Sequence, residues 1–203
     1  MKTKALLCTA VLSWVFILPQ QVRGEGLFLG GGGMYTGIQE NSNILEFSQN
    51  HLEKGYRFLF GYEFRPGIGI LLDWNETRYD RPLQNSVTPG NTIFRSLTLG
   101  LKYHFFSGRS FQPYFLAGSG NFILTTKHPT MGEVTSTASG FNMELGGDHR
   151  FNSHIAVGGG LRAGIFYFYK SEFQVQTLES RLVLDPGKFG SAVSLHLNFI
   201  YYF

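Results

Sequence analysis

The sequence predicts an all-β fold: an eight-stranded antiparallel up-and-down transmembrane β-barrel preceded by a cleavable signal peptide. Three observations carry this. Long stretches alternate apolar and polar residues with a period of two, the signature of a strand with unlike faces. The apolar face is aromatic and the charge is low: 16% of the 203 residues are aromatic and 15% charged, where soluble domains carry about a quarter charged. Short and long connections also alternate along the chain.

Residues 1–24 have the three parts of a secretory leader. Lys2 and Lys4 supply a positive start, Ala5 to Leu18 is predominantly apolar, and Pro19 precedes Val22-Arg23-Gly24 before a cut at Glu25. An uncleaved anchor is the competing reading, but the apolar stretch falls short of the ~20 residues a spanning helix needs. Cys8 opens the apolar core rather than closing it, which disfavours a lipoprotein. The predicted domains are therefore a signal peptide, 1–24, and a barrel, 25–203. Removing Lys2, Lys4 and Arg23 from 17 basic residues leaves 14, against 14 acidic. The formal charge of +3 thus reports export, and a nucleic-acid partner is not expected. With Cys8 gone no cysteine remains, which excludes a disulfide scaffold, a zinc-thiolate site and a cysteine nucleophile in the mature chain.

The strands follow in order: about 26–39, 54–65, 68–81, 93–106, 112–127, 136–151, 154–170 and 189–203. The second sets Tyr56, Phe58, Phe60, Tyr62 and Phe64 opposite Arg57, Leu59, Gly61, Glu63 and Arg65. Successive side chains of a strand point to opposite faces, so the five aromatics form one row. Leu97, Leu99, Leu101, Tyr103 and Phe105 repeat the pattern, as do Phe141, Met143 and Leu145, and Leu161, Ile165, Tyr167 and Tyr169. Pro66-Gly67, Ser107 to Ser110 and Asn152-Ser153 mark tight turns. The longer, more polar connections lie at 40–53, 82–92, 128–135 and 171–188. Short turns at one end and long loops at the other are the plan of an outer-membrane barrel.

A soluble barrel would turn the apolar face inward, but an eight-stranded interior cannot hold five rings per strand. Turned outward, the aromatics meet lipid while glycine and charge fit the narrow lumen. The runs Gly30–Gly33 and Gly158–Gly160 relieve crowding and permit bending. They are not phosphate loops, because no Gly-Lys-Ser/Thr ending follows them.

The final strand places Leu195, Leu197, Phe199, Tyr201 and Phe203 at every second position, ending on an aromatic. This resembles the insertion signal that the barrel-assembly machinery reads in bacterial outer-membrane proteins. Gln112-Pro113-Tyr114-Phe115-Leu116-Ala117-Gly118-Ser119-Gly120 is similar to a Pro-Tyr-x-x-x-Gly-x-Gly strand of the small OmpA, OmpX and OmpW-type barrels. The resemblance covers about 26–203 and leaves no room for the peptidoglycan-binding domain of full-length OmpA proteins. It implies an integral bacterial outer-membrane protein with periplasmic termini, extracellular long loops, and contacts with outer-membrane lipids and lipopolysaccharide. It does not imply an activity.

Parity puts Arg57, Glu63, Arg65, Asp73, Lys102, His104, Asn142, Glu144, Asp148, Arg150, Arg162, His196 and Asn198 inside. The expected polar network comprises Arg57, Glu63, Asp73, Lys102, Glu144, Arg162 and His196. Glu144 and Arg162 come within reach if the turn near Asn152 holds an odd number of residues, such as 151–153. An ion-pair network there would close the lumen. Phe94, Phe115, Phe166 and Phe168 are assigned inward as the lining of an apolar pocket. Barrels of the OmpW type are thought to pass small hydrophobic compounds through an apolar lumen, and a narrow channel is the alternative reading. A lipid-modifying enzyme is a distant third. Lipid A deacylases use His-x-Ser on a late strand, whereas Ser194-Leu195-His196 runs in reverse. His128, Ser136 and Glu133 are the only rim candidates for palmitoyl transfer. No catalytic residue, cofactor or metal site is expected, since the six histidines are scattered. Arg78, Arg81, Lys127 and Lys170 near the rim suit anionic lipid phosphates. The four long loops are the expected contact with a surface ligand.

Overall fold

Alternation becomes architecture through backbone pairing: a strand with lipid on one face must satisfy every N–H and C=O against a neighbouring strand, and only closure leaves no edge. The computed structural model describes residues 26–40, 47–48, 52–64, 67–79, 91–128, 132–174, 181–184 and 187–203. The strands are β1 (Gly26–Glu40), β2 (Phe47–Ser48), β3 (Glu53–Phe64), β4 (Ile68–Tyr79), β5 (Asn91–His104), β6 (Phe111–His128), β7 (Gly132–Arg150), β8 (Ile155–Gln174), β9 (Arg181–Leu184) and β10 (Lys188–Tyr202). Eight of them form the wall in the order β1-β3-β4-β5-β6-β7-β8-β10, and β10 pairs with both β8 and β1. The sheet is therefore a closed antiparallel eight-stranded barrel. The predicted leader lies outside the described residues, as do Arg65 and Arg81.

Register sets the bore. A path of paired residues from Gly30 through Leu59, Asp73, Thr98, Gly120, Gly140, Phe166 and Gly190 returns to β1 at Glu40, ten residues further along. That stagger tilts the strands by roughly 40° and leaves an interior that side chains can fill.

The outward rows are exposed and apolar. Tyr62 and Phe64, Tyr103 and Phe105, and Tyr201 and Phe203 form ring pairs at the short-turn end. Tyr56, Phe58 and Trp74 pack together towards the other. These are the interfacial girdles of a membrane barrel. Inside, one apolar cluster lies at each end. Phe28, Leu59, Leu71, Tyr114, Leu116, Ala156, Ile200 and Tyr202 lie towards the short turns. Ile38, Tyr79, Phe94, Phe122, Leu124, Phe166 and Phe168, with Ala138 and Ala192, lie towards the long loops.

Three expectations change. The described residues of the loops at 128–135 and 171–188 are mainly strand: β6 and β7 pair out to His128 and Gly132, and β9 folds back on β8 with Ser171 opposite Leu184. β2 likewise pairs back on β1 within 40–53. With 18 to 20 residues each, β6, β7 and β8 rise about 15 Å above the 12-residue β3 and β4, at ~3.3 Å per residue and this tilt. The segment 82–92 lies almost wholly outside the described residues. Second, the turn after β5 spans Phe105–Ser110 rather than four residues. Third, Phe115 is assigned inward by parity but faces out. Tyr114 and Leu116, 2% and 1% exposed, face the lumen instead. Alternate residues of β6 are apolar or small on both faces, so hydrophobicity alone cannot choose between them.

Glycine makes room for the large inward groups. A Cβ on Gly146 would lie 2.5 Å from the Tyr114 ring and hydroxyl. Gly146→Ala should therefore displace Tyr114 and cost about 1–3 kcal/mol, the usual cost of overpacking. Urea unfolding in vesicles measures it, with Gly33→Ala, where a Cβ meets nothing within 4 Å, as the near-neutral control.

Candidate functional site

The lumen at mid-height is a cross-brace built from two opposed walls. On one, Arg57 of β3 and Asp73 of β4 are diagonal neighbours, since Asp73 pairs with Leu59 and Arg57 with Asn75. On the other, Glu144 of β7 and Arg162 of β8 are directly opposite in register. The turn that sets this register closes between Phe151 and Ile155 around residues 152–154, and the Asn152 side chain accepts from the N–H groups of His154 and Ile155 at 2.8 Å. In the strand order, β3 and β4 lie diametrically across from β7 and β8.

Four charges meet across that bore. Arg57 donates from Nε and Nη2 to Asp73, at 3.1 and 2.6 Å to Oδ1 and Oδ2. It also donates from Nη1 and Nη2 to Glu144, at 3.2 and 2.9 Å. Arg162 donates from Nε to Glu144 Oε2 at 2.9 Å and also bonds Asp73. Two guanidiniums and two carboxylates leave no net charge. Arg57 and Asp73 are 1% and 0% exposed, so no group here is solvated by bulk water. Burying such ions costs several kcal/mol each, which only close, multiply hydrogen-bonded partners offset. Tyr114 donates to Glu144 at 2.6 Å and lies 3.3 Å from His196 Nε2, which is 3.2 Å from the same carboxylate.

A second charged tier sits towards the short turns. Lys102 pairs with Asp148, and His104 Nε2 lies 2.9 Å from the same carboxylate. Arg150 pairs with Glu63, again from β7 across to β3, and its guanidinium covers the Tyr202 ring at 4.1 Å. Lys102 Nζ stands 3.9 Å over the Tyr114 ring, so Tyr114 joins the two tiers. Above the brace, Thr77 donates to Thr36, and Thr36 bonds Ser194 at 3.0 Å. Higher still, Phe166 lies 4.9 Å from Phe122 and 5.7 Å from Phe94, and Phe168 is 5.3 Å from Phe166. These rings from β5, β6 and β8 fill the bore near the long loops.

The described charged and histidine residues that parity put inside thus fall into two tiers: Arg57, Asp73, Glu144, Arg162 and His196 form one, while Glu63, Lys102, His104, Asp148 and Arg150 form the other. Asn142 and Asn198 are buried in the lumen as well. Ser194 and His196 have different partners, Thr36 for the hydroxyl and Glu144 for the imidazole. Ser136, a rim candidate in the sequence, lies within β7 and bonds Ser171 at 2.8 Å. Among the described residues, no group of three or more His, Cys, Asp or Glu is arranged to hold a metal ion. Sequence reasoning missed Tyr114.

The profile of the outer membrane protein β-barrel domain matches residues 8–184. The fold is similar to Neisserial surface protein A, with a TM-score of 0.60 and 16% identity over 88% of this chain and 97% of that one. It is also similar to OprG of Pseudomonas aeruginosa, with a TM-score of 0.58 and 17% identity over 91% and 99%. Ail, the attachment invasion locus protein of Yersinia pestis, solved with the heparin analogue sucrose octasulfate, aligns with a TM-score of 0.55 and 13% identity over 88% and 99%. No curated protein sequence matches the chain significantly. The family profile extends over most of the chain, and the girdled, closed barrel is the architecture it describes: this chain belongs to the outer membrane protein β-barrel domain family and is an integral outer-membrane protein.

Proposed function

We propose that this protein is a non-enzymatic surface barrel whose lumen is closed and whose long-loop end meets extracellular molecules. One observation carries the reading. The Arg57–Asp73–Glu144–Arg162 brace joins diametrically opposed walls with every charge buried and paired. A solute path would have to break it, leaving buried charge unpaired at about 3–5 kcal/mol per lost partner. The aromatic layer above and the second charged tier below add two further closures.

The leader at 1–24 belongs to this reading as the export signal. Leu195, Leu197, Phe199, Tyr201 and Phe203 are the strand read by the assembly machinery, since β10 is the last element needed for closure. Adding a strand to an open edge supplies main-chain affinity and alternate side-chain specificity. The extended β6–β7 and β8–β9 segments project the contact surface beyond the headgroups, where loops are free to vary. Ail, a barrel of the same fold, was solved with a sulfated sugar, which makes polyanionic surface saccharides reasonable first probes.

A planar bilayer tests closure. Purified barrel should give no stable single-channel steps at moderate voltage, whereas discrete, sizeable steps would establish the narrow-channel reading instead.

A further inference from the structure

The lumen leaves one ionic cluster unused, and it lies on the outside of the barrel. Glu76 and Arg78 share the outward row of β4, and Arg95 lies on β5 directly opposite Glu76. Glu76 Oε1 accepts from Arg78 Nε at 2.9 Å, and Oε2 accepts from Arg95 Nε at 2.8 Å. Tyr56, opposite Glu76 on β3, hydrogen-bonds the same carboxylate. The carboxylate side chain is 4% exposed, but the two arginines are 63% and 44% exposed. Each guanidinium is thus anchored through Nε, Arg78 also hydrogen-bonds Tyr56, and both arginine side chains remain substantially exposed.

The surrounding rows change chemistry in one step along the strands. Below the carboxylate, Phe58, Trp74 and Leu97 are adjacent in register and apolar. Above it, Arg78 is joined by outward, exposed Lys54 of β3. Among the described residues, three cations therefore share this stretch of wall with one carboxylate. The other rim lysines differ: Lys127 is balanced by Glu133 at 3.3 Å and Lys170 by Glu172 at 2.5 Å. Arginine on a lipid-facing wall costs about 2–4 kcal/mol at mid-membrane and close to nothing at the interface. The Tyr56–Trp74 pair marks this level as interfacial. A bare structural ion pair would need one arginine for Glu76. Two, plus Lys54, leave surplus positive charge among the described residues, with the arginine forks and the lysine ammonium both suited to phosphate oxygens.

We propose that Lys54, Arg78 and Arg95 form a binding site for the phosphate of an acylated, phosphorylated glycolipid of the outer leaflet, with its acyl chains against Phe58, Trp74 and Leu97. The site is on the outer wall and does not depend on whether the lumen conducts.

Native mass spectrometry of the detergent-folded barrel tests this, with diphosphoryl lipid A, dephosphorylated lipid A of the same acyl chains, and soluble pyrophosphate as competitor. The wild-type barrel should retain the diphosphoryl form at least tenfold better than the dephosphorylated one. E76Q/R78Q/R95Q, which removes the carboxylate together with its cations, should abolish that preference, and K127Q should keep it. Equal retention of the two lipids by the wild-type barrel would overturn the proposal. So would an unchanged preference in a triple variant that still shows the folded, heat-modifiable gel band. Full displacement of the lipid by millimolar pyrophosphate would make the site one for free anions and overturn it as well. Should the triple variant not fold, R78Q alone, at an exposed side chain, is expected to lower the preference severalfold, and no change there counts against the site.

Discussion

Glu144→Ala should lower the unfolding free energy by about 3–5 kcal/mol, the cost of orphaning buried charge. Glu144 accepts from Arg57, Arg162 and Tyr114 and touches His196. Without it, two guanidiniums share the single carboxylate of Asp73 in a bore that bulk water does not reach. Equilibrium urea unfolding in lipid vesicles measures the loss. The fourfold replacement Arg57→Met, Asp73→Leu, Glu144→Leu and Arg162→Met has the opposite logic. It removes every charge of the brace together, so it should cost far less than the single change or even stabilise. A fourfold variant less stable than Glu144→Ala would show that the brace contributes net stability rather than correct closure. The comparison separates the penalty of an unpaired ion from the worth of the network.

Leu197→Arg is expected to cost about 2–4 kcal/mol in a bilayer, and Phe105→Arg no more than about 1 kcal/mol. Leu197 is 64% exposed on the outward row of β10, between Phe189 near the long loops and Tyr201 near the short turns. Phe105 is 48% exposed but lies at the short-turn boundary, where a guanidinium reaches headgroups and water. The prediction rests on depth, not on size or contact, so its mark is the difference between the two sites. Unfolding in vesicles whose acyl chains set the bilayer thickness provides the measurement. Equal costs at both positions would mean that the outward face does not meet hydrocarbon.

Much of the fold was legible because a membrane barrel imposes one rule on every residue. Tyr56 to Phe64 and Leu97 to Phe105 read as outward rows since their alternate neighbours are charged or small, and parity then carried Arg57, Lys102 and Glu144 inside. The rule failed at β6, where Phe115 and Tyr114 are both aromatic and the strand offers no charge before Lys127 to distinguish its faces. It also failed at strand ends. Above the membrane no lipid enforces alternation, so the polar stretches at 128–135 and 171–188 read as loop although backbone pairing extends into both of them. Arg95 was passed over for a related reason, because a single charge at the end of an outward row gives no hint of its partners.

What the sequence determined alone was the parity of the strands other than β6, the alternation of short and long connections, and hence a barrel turned inside out. Those are local properties, decided by period-two geometry and by what each face must touch. Which charges meet was decided by closure. A stagger of ten residues brings β3 and β4 across from β7 and β8, so Arg57 finds Glu144, 87 positions away. Arg95 stands beside Glu76 on the outer wall for a more local reason, the β4–β5 register. Neither pairing follows from spacing within a strand: the second needs the register between two neighbours, and the first needs register accumulated around the whole circumference before opposite sides come within hydrogen-bond reach.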